Sequence, residues 1–233
     1  MTAIIGYTNR TAMSAIGVLC ADDLEGNSQT KVDKLSKIAG RFVVATTGLQ
    51  VVDSIICSFI GYFDQFSGSQ MSISSIEEFE RILNEVLKYA FIKIKKSPHF
   101  EDHKHHLENQ TQIVVLDILN NKLYQAELGK VWRIEENPNY EIKFVSLEDK
   151  LYSFGVVTKG SDNVSEQYNE TNKETIIMKL TEMMIGYKTS FPKQVGNMGA
   201  IEVCELGENP SESFRSCFSS WLDSVNSFVN KKK

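Results

Sequence analysis

An α+β fold is what the order of apolar patterns predicts. Strand-like runs come first, then two helical stripes, then strands again, one helix, a strand and a closing helix. Strands and helices kept in separate blocks read as α+β and not as alternating α/β. The early runs are apolar on both faces, as in a sheet covered on both sides, and their short spacings suit antiparallel hairpins. A two-sheet core with helix pairs outside it would bury every stripe.

The first runs are Thr2 to Tyr7, Ala12 to Ala21 and Arg41 to Thr47, rich in Val, Ile and Ala and flanked by Gly, Asn and Asp. After Gly48 the period changes: Val52, Ile55, Ile56, Phe59, Ile60 and Phe63 fall at helical spacing. Ser75-Ile76-Glu77-Glu78 then reads as a capping box, with Ser75 accepting from the Glu78 amide and Glu78 returning to the Ser75 amide. A second stripe follows from Phe79 to Ile94, ends in Lys95 and Lys96 where the helix dipole favours cations, and is closed by Pro98.

Strands return at Gln112 to Leu119, Lys122 to Leu128 and Val131 to Glu135, separated by the turn dipeptides Asn120-Asn121 and Gly129-Lys130. Glu141 to Leu147 and Leu151 to Val157 are further strand candidates. A helix is predicted over Lys173 to Tyr187 and a strand over Ile201 to Leu206. From Ser211 to about residue 230, Phe214, Phe218, Trp221, Leu222, Val225 and Phe228 predict a last helix. No loop except Pro98 to Asn109 is long enough for a linker and no long repeat occurs, so 1–233 reads as one domain.

Composition excludes several classes. The 25 basic and 30 acidic residues give a net charge of −5, with Lys231 to Lys233 the one basic block, which argues against nucleic-acid binding. No apolar run approaches the ~18 residues of a membrane span, and Met1 to Tyr7 lacks the pattern of a signal peptide. Cys20, Cys57, Cys204 and Cys217 lie far apart in apolar contexts, as buried thiols of a reducing cytoplasm do. His99, His103, His105 and His106, with Glu101 and Asp102, form a dense cluster that could suit zinc or nickel. Lys104 within it and the absence of a helical register favour a solvated loop, so neither metal nor cofactor is expected.

The chemistry-bearing pattern is at the N-terminus. Met1 before a small residue is the context for initiator removal, which would leave Thr2 with a hydroxyl nucleophile and a free α-amine as base. A nearby lysine would lower that amine's pKa by like-charge repulsion. Leu19-Cys20-Ala21-Asp22 ends an apolar strand in a carboxylate, and Ser36-Lys37-Ile38 sets a lysine at the start of another apolar segment. A lysine among buried strands needs a charged partner, and Asp22 is the nearest candidate upstream.

Thr2-Ala3-Ile4-Ile5-Gly6, Leu19 to Asp22, Lys37-Ile38 and Gly48 followed by Asp53 together resemble the proteasome β-type N-terminal nucleophile hydrolases, which include the bacterial two-component heat-shock peptidase. Element order over residues 2–206, with Gly199 to Val203 as a late strand, is similar too. The resemblance implies a four-layer αββα sandwich and a threonine hydrolase of peptide or amide bonds. In it Thr2 attacks the scissile carbonyl, Lys37 lowers the pKa of the nucleophilic group, Asp22 orients Lys37, and the amide at Gly48 or Leu49 holds the oxyanion. It also implies a peptide or unfolded-protein substrate and a homo-oligomer, rings included, while an ATP-driven partner is not legible. Val156-Val157 stands where that family has a serine. Two alternatives therefore stay open: a non-catalytic scaffold subunit of the same fold, and an amidase acting on a small molecule.

Overall fold

The computed structural model describes residues 2–11, 14–22, 34–47, 73–96, 98, 101, 112–127, 141–155, 164–196, 199–205 and 214–218. Eleven strands and two helices lie within these residues, in two antiparallel sheets, an α+β arrangement. The first sheet joins β1 (Ala3–Arg10), β2 (Ala15–Asp22), β8 (Leu151–Gly155), β9 (Val164–Glu166), β10 (Gly199–Glu205) and β11 (Phe214–Phe218), in the order β11-β10-β2-β1-β8-β9. The second runs β3-β4-β5-β6-β7, from Leu35–Ile38, Phe42–Thr47, Gln112–Asp117, Lys122–Glu127 and Val145–Ser146. The helices are α1 (Ile76–Lys95) and α2 (Lys173–Ser190).

Period-two alternation sorts the apolar residues into three clusters. Ile4, Leu19, Ala21 and Phe154 of the first sheet meet Val43, Ala45, Val114 and Leu116 of the second, so the sheets pack face to face. On the first sheet's other face, Ala3, Ile5, Val18 and Val203 pack against Ile176, Ile177, Leu180 and Met184 of α2. On the second sheet's other face, Phe42, Val44, Ile113 and Val115 pack against Phe79, Leu83 and Leu87 of α1. Apolar residues stand at successive positions of strands such as β2 because both of its faces are covered. Gly6 and Gly17 mark close approaches of the sheets, because a Cβ would sit 2.9 Å from Leu123 Cδ1 at the first and 2.8 Å from Leu116 Cδ1 at the second.

Turn chemistry holds the register. Asn121, with φ of 47°, takes the left-handed position of the predicted Asn120-Asn121 turn, and Asp117 accepts from Leu119 N, Asn120 N and Asn120 Nδ2. Ala39 and Gly40, with φ of 51° and 64°, close the β3–β4 hairpin. Arg41 pairs with buried Asp117 through two nitrogens, at 3.0 and 2.8 Å, and also donates to the Ser74 carbonyl before α1.

Two expectations are corrected. Residues 214–218, predicted as the start of a helix, form β11 on the edge of the first sheet, with Phe214 opposite Val203 and Phe218 opposite Gly199. A spacing of four, as between Phe214 and Phe218, fits a period of two as well as one of 3.6, and pairing with β10 decides. At α1, Glu78 N donates to Ser75 Oγ as predicted, but the Glu78 carboxylate accepts from Ser74 N and Ser74 Oγ, one residue earlier. The helix predicted after Gly48, the strand at 131–135 and the chain beyond 218 lie outside the described residues.

Candidate functional site

Thr2 stands immediately before β1 and is buried. By strand alternation it shares the face of Ile4 and Gly6, the face between the sheets. Asp22 ends β2 beside it. One carboxylate oxygen, Oδ1, accepts from Ala3 N at 2.8 Å and from Lys34 Nζ at 3.2 Å, while Oδ2 accepts from Gly196 N at 2.9 Å. The Asp22 and Lys34 side chains are 0% and 7% exposed. Asp22 therefore joins the N-terminal strand, the segment entering β10 and a buried cation through one group. Removing any one of these donors would leave the buried carboxylate one partner short.

The sequence named Lys37 as the cation on Asp22. In the structure the lysine paired with Asp22 is Lys34, and Lys37 Nζ lies 3.4 Å from Glu202 Oε1 on β10. The hairpin explains the placement. Its register sets Lys37 opposite Val43 and Leu35 opposite Ala45, so Lys34 stands one step further on, level with the end of β4. The Lys37–Glu202 pair clasps the two sheets together, with the Lys37 side chain 25% exposed.

The floor of the site is backbone. Gly155 ends β8 opposite Ala3 with φ of 82°, a conformation that L side chains rarely adopt. A Cβ at Gly155 would fall 1.9 Å from Thr2 O and 3.1 Å from Thr47 Cγ2, so this glycine leaves room for the Thr2 carbonyl and the second sheet's Thr47 to approach it. Thr47 Oγ1 accepts from Gln112 N at 3.1 Å. Thr2, Thr47 and Gln112 thus gather at one end of the inter-sheet space. Gly48, the expected oxyanion donor, follows Thr47 and lies outside the described residues, as do Val156 and His99 to His106, Glu101 apart. Cys20, two residues before Asp22, has its thiol pushed well above the ordinary value, first by burial and then by Asp22. It stays a neutral apolar side chain in the α2-facing cluster.

Sequence reasoning missed Lys34, Gly155 and Gln112. An Ala-Gly turn is a weaker hairpin signal than Asn-Gly, and without it the β3 register is open. Gly155 and Gln112 carry no motif at all, since their roles come from what the other sheet brings beside them.

No protein-family model matches the chain, and no curated protein matches it either. Solved structures do match. Anbu (ancestral beta-subunit) from Yersinia bercovieri superposes with a TM-score of 0.60 at 11% identity, over 100% of this chain and 94% of that one. The Anbu (Gly-1) mutant from Hyphomicrobium sp. strain MC1 gives 0.60 at 10% identity over 99% and 95%, and the helical assembly of the Anbu complex from Pseudomonas aeruginosa gives 0.60 at 10% over 100% and 94%. At such identities the likeness is one of fold. It corrects the resemblance drawn from the sequence: these three matching structures are Anbu proteins, and no family model or sequence relative supports assignment to the β-type and heat-shock peptidase group.

Proposed function

We propose that this chain is a proteasome-related, Anbu-like subunit in which Thr2, freed by removal of Met1, is the nucleophile of a peptide- or amide-bond hydrolase. The observation that carries the reading is the shared oxygen of Asp22, which bonds the amide next to Thr2 and the buried Lys34 ammonium at once. A cation held there depresses the pKa of a neighbouring α-amine, so the amine serves as base near neutral pH. The Thr2 hydroxyl adds to the scissile carbonyl and its proton passes to the amine. The tetrahedral oxyanion takes a hydrogen bond from the amide after Thr47, and collapse expels the leaving amine with that proton. Water repeats the sequence on the acyl-enzyme. One oxyanion donor of this kind contributes about 3–4 kcal/mol in other hydrolases. Lys34 takes the role that the sequence alone gave to Lys37.

The four-layer αββα sandwich, with a helix pair on each side, is the finer architecture of this reading; α1 and α2 supply one helix to each outer face. Self-association into a closed or helical array is part of the same reading, supported by the helical assembly of the Pseudomonas aeruginosa Anbu complex. The substrate is a peptide or an unfolded chain. Val156 at the expected serine position keeps one competitor, a scaffold subunit without activity. A threonine-directed β-lactone separates them: the hydrolase forms an ester at Thr2 of the processed chain, and Thr2→Ala forms none.

A further inference from the structure

Gln112 opens β5 and is 5% exposed, yet its side-chain Oε1 has no hydrogen-bond partner. An amide carbonyl withdrawn from water without a donor is costly, and folded proteins leave few of them. The only other such side-chain atom among the described residues is Thr8 Oγ1, which lies six positions along β1 from Thr2, about 20 Å away at strand rise. Gln112 is different in its place. Alternation puts its side chain on the inter-sheet face with Val114 and Leu116. Its own amide is bonded to Thr47, whose methyl group lies beside Gly155, the glycine that also leaves room for the Thr2 carbonyl.

We propose that Gln112 Oε1 is a specificity determinant, accepting a hydrogen bond from a donor-bearing side chain of the substrate residue that enters between the sheets beside Thr2. The inference rests on the proposed hydrolase reading and adds the chemistry of its substrate. An N–H or O–H on that side chain satisfies the orphaned acceptor, whereas an aliphatic side chain of the same shape leaves it unpaired. Sites with a buried polar group of this kind discriminate against the analogue that lacks the complement. The backbone amides flanking the nucleophile would serve any substrate; Gln112 supplies selectivity.

The test uses two β-lactones that differ in one substituent at the carbon next to the carbonyl, 3-methylbutyl or carbamoylethyl, which have the same number of non-hydrogen atoms and the same branching. Intact mass follows the rate of adduct formation on the processed full-length chain. The carbamoylethyl lactone reacts roughly ten- to a hundred-fold faster with the native protein, the size expected for one buried hydrogen bond. Gln112→Met abolishes that preference while its melting temperature stays equal or rises, since an unpaired buried acceptor has been removed. Thr8→Val, the control, keeps the preference. Equal rates on the native protein overturn this inference and leave the nucleophile intact. A preference retained in Gln112→Met, or a lowered melting temperature with the preference intact, assigns Gln112 a structural role and overturns it as well. Labelling by neither lactone overturns the hydrolase reading itself.

Discussion

At the residue scale, the lysine paired with Asp22 is Lys34, three residues before Lys37. Lys34 and Asp22 are almost wholly enclosed, so removing one partner strands a charge, at a cost of about 3–5 kcal/mol. Lys34→Met therefore lowers the unfolding free energy by roughly that amount and abolishes β-lactone labelling at temperatures where the variant is still folded. Lys37→Met unclasps Glu202 at the flank of the sheets and is expected to retain labelling. Chemical denaturation and intact mass on the two variants read both effects, and loss of labelling in Lys37→Met alone would reverse the assignment. Thr2 was singled out by its place after Met1, and Asp22 because it ends an apolar strand. The choice between lysines was not legible, because it depends on a turn whose residues carry a weak signal.

At the scale of elements, end chemistry matters as much as apolar pattern. Asn172 caps α2: its Oδ1 accepts from Thr175 N at 2.9 Å and from Thr175 Oγ1 at 3.0 Å. Asn172→Ala should cost about 1 kcal/mol in equilibrium unfolding, as N-cap losses generally do, and a change near zero would show the cap to be dispensable. Labelling of Thr2 should not change, because the cap is remote from Asp22 along α2. The same logic explains what the sequence conveyed about elements. The stripes of α1 and α2 were legible since Phe79, Leu83 and Leu87, and Ile176, Leu180 and Met184, recur on one helical face. The strands were legible from runs such as Ala15–Asp22, buried throughout. β11 was not, since an edge strand is selected by the neighbour it pairs with and Phe214 and Phe218 suit either period.

For the whole molecule, burial sets the response to pH. Tyr7, Tyr152 and Tyr187 have their phenols raised above 10.0, in each case chiefly because burial disfavours the phenolate. A raised folded-state value means the stabilisation is fully present below the unfolded value of 10.0 and is lost as pH climbs through the folded values. Cys20 adds the same sign starting from 9.0. Denaturant midpoints followed by circular dichroism should fall as pH rises above about 10, and a midpoint that rises there would contradict the assignment of these groups to the core. The two sheets and the outer faces they offer α1 and α2 were foreseeable from patterning alone. Contacts between sheets were not: Thr47 against Gly155 at the candidate site, and Lys37 against Glu202 at the flank.

The central claim is that Thr2 acts as a nucleophile beside the Asp22–Lys34 pair. Intact-mass analysis of the native chain before and after a threonine-directed β-lactone, with fragmentation to place the adduct, tests it most directly. The account predicts loss of Met1 and a single acyl adduct on Thr2, absent in Thr2→Ala. Retention of Met1, or a processed Thr2 that takes no adduct, would contradict it.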